Sequence, residues 1–186
     1  MAGLKHARMS RRRWLSAAAG TVAAATLPPS VARAMAAPSP RRLALHHTHT
    51  HEDIDLVYAI GHEYDPWALG ELGGFLRDHR SGDIGRMDPR LYDLLHQIHR
   101  VLGNTRPFEI ISGYRSPATN EMLRAAPGGG VAKRSLHMDG RAVDVRLPGT
   151  RLTDLRAAAL SLRAGGVGYY PREQFVHIDT GPVRSW

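Results

Sequence analysis

The sequence predicts a single compact α+β domain in which a mainly antiparallel sheet is flanked by helices. The chain has 186 residues, a length that suits one hydrophobic core. Its composition, with 42% hydrophobic and 23% charged residues, is that of an ordinary globular protein. Short strand-like runs are interspersed with helix-like segments, and most of the predicted sheet lies late in the chain.

The first half of the domain is predicted to form two strands followed by two helices. Branched and aromatic residues predict strands at 42–48 and 54–60, joined by a polar turn. A helix is predicted at 67–77, directly after a proline. Apolar residues recur at helical spacing over 89–102, and Asp88 in front of a proline is typical of a helix N-terminus.

The second half is predicted to alternate strands with two more helices. Ser116 followed by a proline predicts a helix that ends at about Ala125. A second helix is predicted at 153–164, with two glycines behind it. Strands are predicted at 108–112, 142–147, 167–170 and 175–179.

Residues 1–36 have the layout of a cleavable export signal. They contain six Lys and Arg and no Asp or Glu, and an apolar run at 14–27 precedes small residues at 32–36. The stretch Ser10–Leu15 resembles the twin-arginine export motif, although an ordinary basic leader is the alternative. Because the apolar run is too short to anchor the chain, we expect twin-arginine export machinery as a partner, no membrane anchor after cleavage, and a periplasmic or secreted protein.

The remaining chain is predicted to comprise a short linker over 37–41 and one domain over 42–186. Although the whole chain carries a net charge of +8, residues 37–186 contain 19 Lys and Arg against 17 Asp and Glu, a net of +2. So small a charge disfavours a nucleic-acid partner. The absence of Cys excludes disulfides, iron–sulfur clusters, thiolate zinc sites and cysteine nucleophiles, so any metal must be bound by His, Asp or Glu.

Three polar residues late in the chain are predicted to converge on one point. Alternate side chains of a strand share a face, so Asp144 and His177 point away from the apolar residues beside them. His137 lies in the loop that enters the first of these strands, and Gly140 allows that loop to turn sharply. Two neighbouring strands could then bring His137, Asp144 and His177 together.

Two imidazoles and one carboxylate form a ligand set that suits Zn²⁺ in tetrahedral geometry. Three protein ligands leave a fourth position for water, as in catalytic zinc sites. Zinc lowers the pKa of that water to about 7, which provides a nucleophile at neutral pH. We therefore predict Zn²⁺ as the cofactor. Taken singly, each of these three residues would be read as an ordinary buried polar group.

The motif that runs from Ser135 through His137 to Asp144, with a later Val-His-Ile around His177, resembles the zinc D-Ala-D-Ala carboxypeptidase and murein endopeptidase family. This family is related to lysostaphin and to the hedgehog signalling domain. Its periplasmic murein endopeptidase branch is most similar, judged from the segments 111–116, 165–170 and 175–181. The resemblance covers residues 43–186, implies a hedgehog-like or D-Ala-D-Ala peptidase-like fold, and implies that His137, Asp144 and His177 are the zinc ligands.

The resemblance also implies roles for residues around the ligands. Arg115 matches an arginine near the metal that pairs with a carboxylate or carbonyl oxygen of the substrate, which suits a planar guanidinium. A salt bridge or a surface helix cap is the alternative for this arginine. Ser135 is expected to orient a ligand. Tyr114 and Ser112, from the matching Ser-Gly-Tyr-Arg segment, are expected to bind substrate or to support the site.

Two acidic residues are candidates for the general base. Many family members carry an acid three residues before the last ligand, but this chain has Gln174 there, which cannot accept and return a proton. Asp179 is favoured over Glu173 because it shares the strand face of His177, about 6.5–7 Å further along. A structural role for Asp179, accepting hydrogen bonds at the strand end, is the alternative.

Three further features have predicted roles at the rim or in the core. The His46–His51 tract is predicted to be a strand end and turn with solvated or rim histidines, and a second metal site on its alternate histidines is the alternative. Gly128–Gly130 are predicted to form a flexible rim of the cleft. Tyr169, Tyr170 and Trp186 are predicted to cover the core rather than to line a groove.

Together these features predict a zinc-dependent murein endopeptidase that hydrolyses cross-links between peptidoglycan stem peptides. A base takes a proton from the zinc-bound water, and Arg115 with zinc stabilises the oxyanion. A closed pocket would instead favour a D-Ala-D-Ala carboxypeptidase or dipeptidase, and an open groove the endopeptidase. A zinc-bearing murein-binding module without catalysis is the third possibility, because of Gln174.

Overall fold

The computed structural model describes residues 39–127 and 131–186, which form eight strands and four helices. The strands are β1 Pro40–His47, β2 Asp53–Ile60, β3 Glu63–Tyr64, β4 Phe108–Ser112, β5 Ala142–Arg146, β6 Gly166–Tyr170, β7 Phe175–Asp179 and β8 Arg184–Ser185. The helices are α1 Pro66–Phe75, α2 Pro89–Leu102, α3 Pro117–Ala125 and α4 Leu152–Ser161.

All eight strands form one sheet in the order β3-β2-β1-β4-β5-β7-β6-β8. Neighbouring strands are antiparallel except for β1 with β4 and β6 with β8. The predicted α+β fold with a mainly antiparallel sheet is confirmed. Sequence patterns missed β3 and β8, because strands of two residues leave no periodicity. The first strand begins at Pro40, so part of the predicted linker is strand.

The predicted helix termini are confirmed where side chains cap them. The Asp88 carboxylate accepts a hydrogen bond from the Arg90 N–H at the start of α2, and Gly103 ends that helix with a left-handed φ of 62°. At the start of α3, the Ser116 hydroxyl accepts a hydrogen bond from the Thr119 N–H. These contacts satisfy N–H groups that a helix end leaves without partners.

The sheet separates the hydrophobic core from a polar face. Val143 and Val145 of β5 are fully buried in the core, as are the corresponding apolar residues of β7, and α2 and α4 add their apolar faces to the same cluster. The residues between them point to the opposite face. Strand alternation therefore places Asp144 and His177 on that polar face, as predicted.

The loop that carries His137 depends on Gly140. This glycine has a φ of 63°, and its carbonyl accepts a hydrogen bond from the Asp88 N–H at 2.8 Å. A Cβ atom at this position would lie 2.1 Å from the Arg86 carbonyl oxygen. Because neither the backbone conformation nor the space admits a side chain, the sharp turn needs glycine here.

The histidine tract does not form the extended face that alternate histidines would require. Its strand ends at His47, and residues 48–50 form a turn. His47 is fully buried, and its Nδ1 accepts hydrogen bonds from the backbone N–H groups of His49 and Thr50. Its ring packs against Phe75 and His79, while the His49 and His79 rings stack 4.2 Å apart. Among the described residues, the histidines of this tract are not part of a group of three or more ligand atoms close enough to hold a metal ion.

The predicted export signal over 1–36 and the Gly128–Gly130 rim lie outside the described residues. None of the helices within residues 39–127 and 131–186 combines the length and the apolar character that crossing a membrane requires.

We expect Gly140→Ala to destabilise the protein by more than Gly103→Ala does. Both glycines have nearly the same positive φ, but only Gly140 would place a Cβ against backbone, whereas nothing lies within 4 Å of a Cβ at Gly103. The control should lose about 1 kcal/mol from the left-handed conformation alone. Urea denaturation measures both variants, and equal losses would contradict the packing argument.

We also expect the thermal stability to fall as the pH drops from about 6.5 towards 4, partly through His47. Burial, together with the charges of His49 and Arg77, lowers the pKa of His47 to about 4 in the folded state. The unfolded chain, in which a histidine has a pKa of about 6.5, therefore binds more protons across this window.

The variant His47→Asn, whose side-chain oxygen could accept the same backbone hydrogen bonds, should lose less stability than the wild type over this pH range. The exposed His62→Asn is the control and should keep the wild-type slope. Melting temperatures measured at half-unit pH steps make the comparison. An unchanged slope in His47→Asn would show that His47 does not contribute to the acid sensitivity.

Candidate metal centre

The sheet register brings the three predicted metal ligands to one point. Asp144 of β5 and His177 of β7 are paired directly across the antiparallel ladder. His137 comes from the loop before β5, and one ligand atom from each of the three residues lies within 4.8 Å of the others. All three side chains are largely buried. The convergence predicted from strand alternation is therefore observed.

Hydrogen bonds on the far side of each imidazole determine which nitrogen faces this point. The Nδ1 of His137 lies 2.7 Å from the Gly113 carbonyl oxygen, and the Nε2 of His177 lies 3.2 Å from an Asp179 carboxylate oxygen. Both partners are acceptors, so these nitrogens carry the protons in neutral rings. When both rings are neutral, the lone pairs of His137 Nε2 and His177 Nδ1 are therefore directed to the shared point.

The spacing of the donor atoms fits a small divalent cation. His137 Nε2 is 3.3 Å from both His177 Nδ1 and Asp144 Oδ1, and the last two atoms are 2.8 Å apart. Ligands bound to tetrahedral zinc at about 2.0–2.1 Å would be separated by about 3.3–3.4 Å. Two of the three separations match this value, and the third requires a small expansion.

The electrostatics of the centre favour a cation. Burial alone would raise the pKa of Asp144, but the charges and hydrogen bonds of His137 and His177 hold the pKa of this carboxyl well below its usual range. Burial lowers the pKa of His177, but hydrogen bonds to Asp144 and Asp179 outweigh it and raise the pKa to about 9. A metal ion that binds His177 would displace this proton.

Asp179 lies behind His177 rather than in the open part of the site. It is fully buried, and one carboxylate oxygen accepts hydrogen bonds from the backbone N–H groups of Gly166 and Gly181. The other oxygen contacts Arg184 at 2.7 Å in addition to the His177 Nε2. Burial raises the pKa of Asp179, but these partners outweigh it and lower the pKa to about 2. These contacts match the alternative given for Asp179, a carboxylate that accepts hydrogen bonds at the strand end, rather than the favoured role of general base.

Arg115 borders the site next to Asp144. One terminal nitrogen of its guanidinium lies 3.8 Å from the Asp144 carboxylate and 3.4 Å from the Ser112 hydroxyl, and the other lies 3.5 Å from the Asn120 side-chain oxygen. Its Nε has no hydrogen-bond partner in the described residues. Burial lowers the pKa of Arg115. These contacts are long, so the guanidinium keeps donor capacity for another oxygen.

Two features hold Arg115 in position, and sequence reasoning missed both. The register between β4 and β5 shifts between Ile110 and Ser112, and this bulge places Ser112 opposite Asp144. The buried Asp78 accepts a hydrogen bond from the Ser116 N–H at 2.9 Å, which fixes the chain directly after Arg115. Neither feature has a local sequence signal, because both depend on partners far away in the chain.

The other predicted site residues differ in their placement. Ser135 is buried and lines the groove beside His137. Ser112 supports Arg115, as described. Tyr114 lies elsewhere: its ring packs over Gly85, where a Cβ would be only 2.1 Å from it, and it joins the edge of the hydrophobic core. Tyr114 does not line the groove, so of its two expected roles only support of the site fits this placement.

The three converging residues His137, Asp144 and His177 lie in a groove with a cavity volume of about 520 Å³ that is open to solvent. Glu173 is exposed and lines this groove. Gln174 adopts a left-handed φ of 59°, and its side-chain amide donates a hydrogen bond to the Pro171 carbonyl oxygen. Of these two neighbours, only the acid lies on the groove.

The prediction that Trp186 and Tyr170 cover the core is wrong. Both line the groove, and the Trp186 indole nitrogen donates a hydrogen bond to the Tyr170 hydroxyl at 2.8 Å. Tyr169, in contrast, packs against the core as predicted. Arg184, which contacts Asp179, was also missed. The two-residue strand β8 that carries it pairs with β6 only in the folded chain.

Comparisons with known proteins agree with this geometry. The family model described as peptidoglycan L,D-endopeptidase MepK matches residues 35–186. The peptidoglycan L,D-endopeptidases MepK of Escherichia coli K12 and of Shigella flexneri are each 45% identical over 177 residues, which cover 95% of this chain and 97% of the relative. The probable peptidoglycan L,D-endopeptidase MepK of Haemophilus influenzae is 39% identical over 178 residues, or 95% of each chain. This chain therefore belongs to the peptidoglycan L,D-endopeptidase MepK family, a branch of the murein endopeptidases that the sequence motifs resemble.

Proposed function

We propose that the protein is a zinc-dependent endopeptidase that hydrolyses L,D-peptide bonds in the cross-links of peptidoglycan stem peptides. The observation that carries this proposal is the convergence of His137 Nε2, His177 Nδ1 and an Asp144 oxygen in a groove open to solvent. Membership of the family supports peptidoglycan as the substrate class, because the similar proteins are named peptidoglycan L,D-endopeptidases.

His137, Asp144 and His177 would hold the ion as its three protein ligands. Zinc bound there would polarise the scissile carbonyl and acidify water at its open position. Zinc is favoured over other divalent ions because two imidazoles and one carboxylate at tetrahedral spacing match its ligand preference.

Within this proposal, Glu173 is the general base and Asp179 is a positioning residue. Glu173 lies on the groove, where it can take a proton from the attacking water and return it to the leaving amine. Asp179 has both oxygens engaged, and its bond to Nε2 keeps the His177 ring oriented. Arg115 donates hydrogen bonds to the oxygen that becomes negatively charged when the carbonyl is attacked.

An open groove favours cleavage within a cross-link over removal of a terminal residue, because a cross-linked peptide extends beyond the scissile bond on both sides. The presence of Glu173 on the groove supports an active enzyme over a binding module that has lost catalysis.

Peptidoglycan lies outside the cytoplasm, so the enzyme acts in the periplasm or beyond. Export by the twin-arginine machinery, directed by residues 1–36, fits this requirement, because that route carries folded proteins that can already contain their metal. In support, residues 1–36 contain six Lys and Arg and no Asp or Glu, and an apolar run precedes the small residues at 32–36.

We expect the zinc-loaded protein to cleave the cross-links of purified sacculi, so that a later muramidase digest releases uncross-linked muropeptides, and His137→Ala to abolish this release. Loss of one of three ligands should lower zinc occupancy as well as activity. Mass spectrometry of the products identifies the bond, and elemental analysis measures the metal. His46→Ala, which removes a histidine outside the site, is the control and should retain both. Release that persists after chelation and metal removal would contradict the proposal.

We expect Glu173→Gln and Asp179→Asn to impair different properties of the enzyme, namely the rate of catalysis and the affinity for zinc. Glu173→Gln should lower kcat by about 10²–10⁴-fold while the protein still binds zinc. Asp179→Asn should weaken zinc binding by about 10–100-fold, with much of kcat restored at saturating zinc. Steady-state kinetics across a zinc titration separates the two. If Asp179→Asn is inactive at full zinc occupancy while Glu173→Gln is active, the roles are reversed.

A further inference from the structure

One wall of the groove consists of an exposed tryptophan beside a metal ligand. The Trp186 ring lies 5.3 Å from the His177 ring and lines the groove, while 48% of the residue is accessible to solvent. Burial of so large an apolar surface is favourable, so an exposed indole beside the site is available to pack against a bound molecule.

The backbone of Trp186 is fixed against β6. Its N–H donates to the Val167 carbonyl oxygen at 3.2 Å, and its carbonyl oxygen accepts from the Tyr169 N–H at 3.0 Å. The indole Nε1 donates to the Tyr170 hydroxyl at 2.8 Å. The only polar atom of the ring is therefore already paired, and the ring offers a ligand an apolar surface without a free donor.

Two further residues hold the ring in place. Gly168 lies against the indole, where a Cβ would come within 2.7 Å of the ring atoms. The Arg184 guanidinium lies 5.0 Å from the ring centroid and also binds the Asp179 carboxylate, which contacts His177. The same arginine therefore contacts both the tryptophan and the carboxylate that orients a metal ligand.

Trp67 is the natural comparison within the same chain. It is 66% exposed, yet its ring has no aromatic stacking, cation–π or hydrogen-bond contact among the described residues, and it does not line the groove. Exposure alone is thus not the distinguishing property. Trp186 combines exposure with a fixed position at the reaction centre, which is typical of a binding surface.

We propose that Trp186 is a substrate-binding residue whose indole packs against the aliphatic part of the stem peptide next to the scissile bond. This inference rests on the proposed peptidase function and adds the surface that positions its substrate. Arg184 is a positioning residue that sets the indole and, through Asp179, the orientation of His177. The contact excludes water from the His177 side of the groove, and it favours an aliphatic over an anionic group there, because the only N–H donor of the indole is already paired.

Substitution of Trp186 should affect substrate binding more than metal binding. We expect Trp186→Ala to raise KM for cross-linked muropeptides by about 10–100-fold, with zinc content and melting temperature near those of the wild type. Trp186→Phe should recover most of the loss, since it keeps an apolar ring. The matched control Trp67→Ala should leave KM and kcat unchanged.

Tryptophan fluorescence distinguishes substrate binding at Trp186 from a purely structural role, because only binding would change the emission of this residue when a ligand is added. The chain contains three tryptophans, so the variant Trp14→Phe/Trp67→Phe reports only on Trp186. We expect a purified uncross-linked muropeptide, the product of the reaction, to shift this emission in a saturable way and to protect it from quenching by acrylamide.

The outcomes distinguish this inference from the proposed function. If the wild type cleaves cross-links but Trp186→Ala has the KM of Trp67→Ala, the binding role of Trp186 is wrong. Unchanged fluorescence at muropeptide concentrations that inhibit the enzyme would overturn it equally. If the wild type cleaves no cross-link, the proposed function fails, while a saturable fluorescence change would still support binding at Trp186.

Discussion

The site depends on two hydrogen bonds that fix the orientation of two histidine rings. The Gly113 carbonyl oxygen binds Nδ1 of His137, and the Asp179 carboxylate binds Nε2 of His177. Each ring must then present its other nitrogen to the Asp144 side, and the sheet register holds that carboxylate directly opposite His177. The directions of these nitrogen and oxygen atoms are thus set by backbone and sheet geometry.

Burying this polar cluster lowers the stability of the fold, and apolar packing on the other face of the same strands offsets the loss. Burial of ionisable groups is unfavourable unless they are paired, and here each has a partner: Asp144 with the histidines, and Asp179 with Arg184. The opposite face of β5 and β7 packs into the core through valines and an isoleucine. A rigid apolar layer on one side therefore supports a charged centre on the other.

Local patterns predicted the elements and the ligands, whereas contacts between distant residues escaped them. Period-two alternation was enough to place Asp144 and His177 on one face, and the motif spacing added His137. The bulge before Ser112 and the bond between Asp78 and the chain after Arg115 depend on partners that no local window contains. The same limit explains why Trp186 was predicted in the core.

The most direct test of this account is the anomalous diffraction of zinc-loaded crystals at the zinc absorption edge. The account predicts one strong peak within bonding distance of His137 Nε2, His177 Nδ1 and an Asp144 oxygen, at about 2.0–2.2 Å. A peak bound through His137 Nδ1 or His177 Nε2, or one located only at other residues, would contradict it.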